Sequence, residues 1–580
     1  MNKQCCQPNM KRNKTMKQTL KTIIRNVKSI NGNSLAEFAT TTALMATLAA
    51  TAAPKLSEMS EGAKSQKSMN EIDKILTQAR ELDRVSMGDM GISIERLMGN
   101  AGKQVAEEAM EMVSDIHDSS ILILSGKGNN GGDGFAAATV LFENNYNVRI
   151  HSLCKNNEIK GDSLNFYLKC ESLGIFTTFG ESLPDFKIPD LIIDGLLGTG
   201  FKGALRESMI PWVEWINNSK SMVLSIDISS GLNGNSGRVN PIAVKANTTV
   251  AFGAPKLGSI FRFGQEYSGI VHTKEIGFPN LEDIELPGLN WDLIQEFNAS
   301  SHLQKPKVDC HKYSAGKVLV IAGSKGMTGA AILSTYGALR SGAGLTTTTT
   351  PASLNEIYER LIIEGITLPL EDHGKGYLSL DNYNSIEEKL EWADSVVLGP
   401  GLGRDISTQN LIKKLVRIIE KPLVLDADGL FPFSNKMGDL NDREYPLIIT
   451  PHIGELSYLT GIDKENIISE FPIVMNEVMT DFRHIALVKQ VPSCTFYKNS
   501  AMVNSSGNPG LATGGTGDVL SGIIASFIAQ GIDHYNSVSL AAFIHGKASD
   551  ELIKEKGFRG QIASDILEKI PYIISGYEKS

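Results

Sequence analysis

From about Asn70 onward, apolar runs of four to six residues alternate with stretches of helical periodicity. Strands buried on both faces read as near-continuous Val, Ile and Leu runs, and their alternation with helices is the signature of stacked βαβ units around a parallel sheet. The runs predict strands at Ile121–Ser125, Val148–Leu153, Leu191–Asp194, Val223–Asp227 and Thr248–Phe252 in a first half. A second set follows at Lys317–Ala322, Leu345–Thr349, Ser395–Leu398, Leu423–Asp426, Leu447–Thr450 and Ile485–Lys489. Between them, Pro279 to Pro306 holds three prolines and little periodicity, which marks a domain boundary. The fold class expected is therefore α/β, as two separate α/β domains over 69–285 and 300–577, preceded by a leader over 1–68.

The length of 580 residues supports more than one core. Hydrophobic residues at 42% and charged residues at 21% exclude a disordered, fibrous or multi-span membrane chain. Six cysteines without a C-x-x-C spacing suggest neither a disulfide scaffold nor a zinc ribbon, and fit a reducing, cytoplasmic compartment. The net charge is −9, but residues 1–36 carry eight Lys/Arg and no acid, which leaves −17 on the remainder. An acidic body excludes a general nucleic-acid binder, because phosphate binding needs a basic face. The basic stretch runs into Gly32-Asn33-Ser34-Leu35-Ala36-Glu37 and then sixteen uncharged residues, Phe38 to Ala53. That order resembles a type IV prepilin signal, so membrane contact through residues 35–53 is one expectation. The run is Ala- and Thr-rich and shorter than the ~18–20 residues of a span, and a disordered leader, a basic targeting segment and a start placed too early are the alternatives.

Three strands of the first half end in polar, Gly-rich loops. They are Gly126-Lys127-Gly128-Asn129-Asn130-Gly131-Gly132-Asp133-Gly134, with a helix expected over Phe135 to Asn144; Asp194-Gly195 through Gly203; and Asp227-Ile228-Ser229-Ser230-Gly231. One such loop can be no more than a tight turn. Three at the carboxyl ends of parallel strands converge on the crevice where open α/β sheets bind ligands. N-N-G-G-D-G at 129–134, D-G-L-L-G-T-G-F-K-G at 194–203 and S-I-D-I-S-S-G at 225–231 resemble the NAD(P)H-hydrate epimerase family, with a lead-in helix at Thr77–Asp83 and Leu97–Gly102. The resemblance implies a Rossmann-like three-layer domain. In it Asn129, Asn130, Gly131, Gly132, Asp133, Gly198, Thr199, Gly200, Phe201, Lys202, Gly203 and Ala204 bind the hydrated dinucleotide, Asn130, Asp194 and Ser230 hold K+, and Asp227 touches the damaged ring. Ser229 stands where that family has Pro, and Gly99 where it has Glu.

In the second half, Thr513-Gly514-Gly515-Thr516-Gly517-Asp518 leads into an apolar helix through Ala529. N–H groups at a helix start can stabilise charge on a transferring phosphoryl group, and Asp518 is placed to take a proton from an attacking hydroxyl. A helix-capping Asp is the plainer reading, which four glycines within nine residues exceed. With Gly323–Ala331, Ala338–Leu345, Gly399–Gly403, Asp426–Gly429 and Thr450–Glu455, this element resembles the ADP-dependent NAD(P)H-hydrate dehydratase, and the whole of roughly 70–575 resembles the fused bifunctional family. The resemblance implies a ribokinase-like three-layer domain, Ala331, Gly401, His452 and Asp518 at the hydrate, and Lys489, Gln490, Val491, Pro492, Ser493 and Gly517 at the nucleotide, with Mg2+ and ADP. Family members carry Lys-Gly where Lys489 and Gln490 stand here. Asp426 and Asp428 are read as turn residues with no catalytic role.

Hydration leaves a hydroxyl on C6 of the nicotinamide ring. The resemblance implies that Asp518 deprotonates it, that the β-phosphate of ADP transfers to it and that phosphate departs, giving NAD(P)H and AMP, while the first domain interconverts the R and S epimers through Asp227. The expected ligands are NAD(P)H hydrate and ADP, in a homo-oligomer without nucleic acid. A ribokinase-like vitamin or sugar kinase fused to a nucleotide-binding module is the alternative enzyme, since G-T-G-D alone is shared among such kinases.

Overall fold

Neighbouring residues of the central strands enter different cores. Along the first strand Ile121 and Ile123 face one apolar cluster while Leu122 and Leu124 face another. In the second half Leu319 and Ile321 are likewise separated from Val318 and Val320. The side-chain period of two thus places a helical layer on each side of each sheet. The computed structural model describes residues 93–183, 187–278, 288–294 and 296–578, which belong to one unit, Glu71–Ser580. The leader, its apolar run and the Thr77–Asp83 part of the lead-in helix lie outside the described residues, and Leu97–Gly102 falls within the helix Ile94–Met112.

The first sheet has seven parallel strands: β1 (Ser120–Ser125), β2 (Asn147–Ser152), β3 (Thr177–Phe179), β4 (Leu191–Gly195), β5 (Met222–Ile226), β6 (Thr248–Phe252) and β7 (Ile270–Lys274). Their order is β3-β2-β1-β4-β5-β6-β7, so the winding reverses between β1 and β4. There Leu124 lies opposite Asp194 and Ser125 opposite Gly195, which brings the two Gly-rich loops out side by side. The first of these is helical earlier than expected: the helix runs Asn129–Glu143, so N-N-G-G-D-G forms its opening turns instead of a loop before Phe135. Low glycine propensity suggested otherwise. Packing overrides it, because a Cβ on Gly131 would lie 1.9 Å from the carbonyl oxygen of Gly126.

The second sheet comprises β8 (Asn290–Leu293), β9 (Lys317–Ile321), β10 (Leu345–Pro351), β11 (Ile366–Leu370), β12 (Ser395–Leu398), β13 (Leu423–Leu425), β14 (Leu447–Ile449), β15 (Ile485–Val488), β16 (Cys494–Tyr497) and β17 (Ser500–Val503). The order is β11-β10-β9-β12-β13-β14-β15-β16-β17-β8, with its own reversal between β9 and β12. The strands from β11 to β15 in that order are parallel, β16 and β17 follow as an antiparallel hairpin, and β8 adds to β17 in parallel at the edge. β8 corrects the expected boundary: Asn290–Leu293 and the helix Glu296–His302 fall inside the Pro279–Pro306 stretch, and β8 pairs with β17, so the second domain is under way by Asn290 instead of 300. The strands missing from the sequence reading (β3, β7, β8, β11, β16, β17) are short or half-exposed, and β11 contains Pro369, which a central strand would not tolerate. Phe261, from the first domain, is buried in a core of the second beside Trp291 and Phe471, with ring centroids 5.5 and 5.4 Å apart, and Arg238 pairs with Glu470 across the same junction at 3.6 Å. Among the described residues no helix is long and apolar enough to cross a membrane.

Candidate active sites

The reversal between β1 and β4 opens a cavity of about 730 Å³. Its walls include Asn129, Asn130, Gly131, Asp133, Gly198, Thr199, Gly200, Phe201, Lys202, Ala204 and Asp227, so most of the expected dinucleotide residues line one cavity; Gly132 is buried in the helix behind them, and Gly203 is exposed and off the wall. The opening N–H groups of the helix Asn129–Glu143 have no partners within the helix and form the positive end of its dipole, a setting that favours an anion. Lys127 and Arg206 on the walls add positive charge. The volume lies within the range of small-molecule and cofactor pockets.

Beneath the cavity, Asp194 is fully buried. Its Oδ2 accepts from Ser225 Oγ (3.0 Å) and the Ser230 amide (2.9 Å), and its Oδ1 from Ser230 Oγ (2.6 Å) and the Leu196 amide (3.3 Å). Burial pushes the carboxyl upward, and these hydrogen bonds oppose the shift. Among the described residues no cationic side chain pairs with it. Asn130 Nδ2 donates to the Leu197 carbonyl at 2.8 Å, and Ser230 Oγ approaches the same carbonyl at 3.3 Å. Asn130 and Ser230 therefore meet at the Leu197 carbonyl, and Ser230 in turn contacts Asp194.

Asp227 follows β5 at the cavity wall with φ +62°, a left-handed conformation uncommon for a residue bearing a side chain. Its Oδ1 accepts from the Phe252 amide at 3.1 Å and pairs with Lys256 Nζ at 2.7 Å. Lys256 was missing from the sequence reading. The signal was present in Gly253-Ala254-Pro255-Lys256, a further polar turn at the carboxyl end of a parallel strand, β6.

In the second domain Gly515, at φ +92°, turns the chain into the helix Thr516–Ala529. Asp518 sits in its first turn. Its carboxyl is pushed up to about 7 by burial and by the neighbouring Asp426 charge, with Lys489 pulling the other way. Lys489 Nζ is 2.7 Å from Asp426 Oδ1, Ser521 Oγ donates to Asp426 Oδ2 at 2.7 Å, and a Cβ on Gly517 would lie 3.4 Å from Lys489 Nζ. Burial opposes ionisation of Asp426, but the Lys489 charge and these hydrogen bonds outweigh it and hold the carboxyl below its ordinary value. Burial also opposes the charge on Lys489, and Asp426 and Glu455 outweigh it in turn. The result is a base close to neutrality beside a fixed cation at a helix N-terminus, the arrangement needed to take a proton from a hydroxyl while stabilising a phosphoryl group.

Other expected residues are dispersed around this centre. His452 is exposed and caps the helix Ile453–Thr460, its Nδ1 accepting from the Glu455 amide at 3.1 Å; with Arg404, Phe431 and Tyr458 it lines a cleft of about 170 Å³. A strand-like bridge joins His452 to Lys489, so the two expected sites adjoin. Gly401 is buried, and its carbonyl accepts from Ser324 Oγ at 2.8 Å. Ala331 presents no surface to the cleft, being fully buried in the helix Thr328–Arg340. Gln490, Val491, Pro492 and Ser493 form the turn between β15 and β16; Val491 is exposed, and Gln490 Nε2 is buried without a hydrogen-bond partner. Asp426 is no mere turn residue: it is the buried partner of Lys489. His545 was also missed. It is buried against the Thr516 backbone, its imidazole held down at about 4 by burial, and nothing in its helix pattern separates it from core.

Residues 94–258 match the family model described as YjeF-related protein N-terminus, and residues 318–572 match that of NAD(P)H-hydrate dehydratase. The bifunctional NAD(P)H-hydrate repair enzyme of Moorella thermoacetica is 32% identical over 509 residues, which cover 86% of this chain and 96% of that protein. The enzyme of the same description from Coxiella burnetii is 32% identical over 507 residues, covering 86% and 98%. Among solved structures, the ADP/ATP-dependent NAD(P)H-hydrate dehydratase from Bacillus subtilis, co-crystallised with ATP and Mg2+, is 24% identical and covers 50% of this chain and 99% of its own, with a TM-score of 0.43. The chain belongs to the family of bifunctional NAD(P)H-hydrate repair enzymes.

Proposed function

We propose that this chain repairs hydrated nicotinamide dinucleotides at two separate sites, interconverting the R and S hydrates in the first domain and dehydrating the S form in the second with ADP as phosphoryl donor. Asp518 carries the second half of the reading: a carboxyl near 7 in the first turn of a Gly-rich helix start, beside Lys489. It takes the proton of the C6 hydroxyl, the oxygen attacks the β-phosphorus of ADP as AMP leaves, and the phosphorylated oxygen departs as phosphate while the ring nitrogen supplies the electron pair; C5 of the resulting iminium then loses a proton, and its C–H pair becomes the C5–C6 double bond of NAD(P)H. Lys489 and the N–H groups around Gly517 hold the transferring group, and positioning supplies much of the acceleration. Mg2+ would supply charge neutralisation on the nucleotide phosphates. Among the described residues no cluster of three His, Cys, Asp or Glu is placed to hold a metal, which fits an ion that enters on the nucleotide.

In the first domain the donor set of Asn130, Asp194 and Ser230 fits K+, a hard cation that takes oxygen ligands and would balance the buried Asp194 charge. Asp227 faces the ring and moves its proton. Cys154, Cys170, Cys310 and Cys494 are unpaired thiols, which supports a cytoplasmic setting. The reading is tested by two variants assayed on separated hydrate epimers. Asp518→Asn is expected to abolish dehydration and leave epimerisation intact, and Asp227→Ala to do the reverse. Loss of both activities in each variant, with the chain folded, would show that the sites are not independent.

A further inference from the structure

We propose that Lys256 is a second catalytic residue of the first site, the proton donor that works with Asp227 as base; this rests on the epimerase reading above. Both side chains line the cavity. Lys256 Nζ is fixed by three oxygens, Asp227 Oδ1 at 2.7 Å and the carbonyls of Phe252 at 3.0 Å and Ala254 at 3.4 Å. Asp227 is held at φ +62° by hydrogen bonds to Val250 and Phe252, so its strained backbone is over-determined by its surroundings, as at sites where geometry serves chemistry. The segment following Lys256 is anchored as well, since Phe261 is buried in the second domain. A surface ion pair needs none of this. Two residues on a cavity wall, one strained and one triply held, in direct contact, form a matched acid and base.

The contact also constrains the chemistry, because groups that touch each other meet the ring from one side. C6 of the hydrate is bonded to both the hydroxyl oxygen and N1. Asp227 takes the hydroxyl proton, the O–H electron pair becomes the second bond of a C6 carbonyl, and the C6–N1 bond breaks. Its pair goes to N1, which takes a proton from Lys256. Rotation about the C5–C6 bond presents the other carbonyl face. N1 then attacks C6 and returns its proton to Lys256, while the carbonyl oxygen takes its proton back from Asp227. The result is the inverted centre, with both residues restored. Nothing is oxidised or reduced, and no co-reactant is consumed.

The test uses the full chain without ADP, following epimer interconversion by chromatography against the uncatalysed rate. Lys256→Ala is expected to lose about 100-fold or more in kcat, and small primary amines to restore it with a rate that varies with amine pKa. Lys256→Arg keeps the charge and the ion pair but cannot release a proton near neutrality, so it is expected to be as slow as Lys256→Ala. Dehydration of the S hydrate with ADP by the same variants reports that the chain is folded. Lys256→Arg within threefold of the unaltered chain, or Lys256→Ala that no amine restores, would overturn the proposal. If Lys256→Ala fails to fold, Lys256→Arg decides alone. An unaltered chain that does not interconvert the epimers would instead remove the epimerase reading itself.

Discussion

Replacing Asp518 by Asn is expected to stop dehydration and, at the same time, to stabilise the protein, by an amount that depends on pH. The folded carboxyl titrates at about 7 against an ordinary 3.8, so between those values the folded chain holds a proton that the unfolded chain has lost. Stability associated with this group is present below pH 3.8 and is lost as pH rises through 7. At ~1.4 kcal/mol per pH unit the full gap is ~4 kcal/mol, and ~2.6 kcal/mol of it develops between about pH 5 and about pH 8. Residual contact of the side chain with water lowers the expected change to ~2 kcal/mol, or ~4–8 °C in Tm for a domain of this size. Asn is neutral in both states and escapes the loss. Calorimetric melts of both chains near pH 5 and pH 8, with hydrate dehydration measured alongside, give the comparison. An Asn gain no larger at pH 8 than at pH 5, or an Asn chain that still dehydrates, would refute the assignment of Asp518 as a buried base near neutrality.

Three further outcomes follow from named contacts. Lys489→Met leaves Asp426 buried without its cation and is expected to lower stability by ~3–5 kcal/mol, read as the urea midpoint, and to abolish dehydration. Gly131→Ala drives a methyl into the Gly126 carbonyl; epimerisation should fall at least tenfold while dehydration persists, and unchanged epimerisation would show that the turn from β1 into the helix Asn129–Glu143 can widen at no loss of function. Phe261→Ala is expected to cost ~3–5 kcal/mol, with the loss appearing in the second domain although the residue lies in the first: heat inactivation of dehydration should move to lower temperature.

What could be read from residues alone follows burial. Thr248–Phe252 and Ser395–Leu398 have the expected bounds because every residue in them is buried, so the apolar run and the strand coincide. β7 shows no such run because it is half-exposed at an edge, and β8 is hidden because its partner β17 lies about two hundred residues away. The glycine loops were legible because glycine reports backbone constraint locally. Charge pairing was not: Asp426 meets Lys489 across 63 positions, and Asp227 meets Lys256 only because β5 and β6 are neighbours in the sheet. The opening turns of the helix Asn129–Glu143 were misread for the opposite reason, since local propensity gave way to the close packing of Gly131 on Gly126.

The most direct measurement incubates the full chain with an equal mixture of R and S hydrate and excess ADP, and counts products against time. Both epimers should disappear, with NAD(P)H, AMP and phosphate formed in equal amounts, and Asp227→Ala should leave the R form behind once the S form is consumed, apart from slow uncatalysed epimerisation. Disappearance of hydrate without AMP, or an unaltered chain that consumes the S form alone, would contradict a two-site repair enzyme.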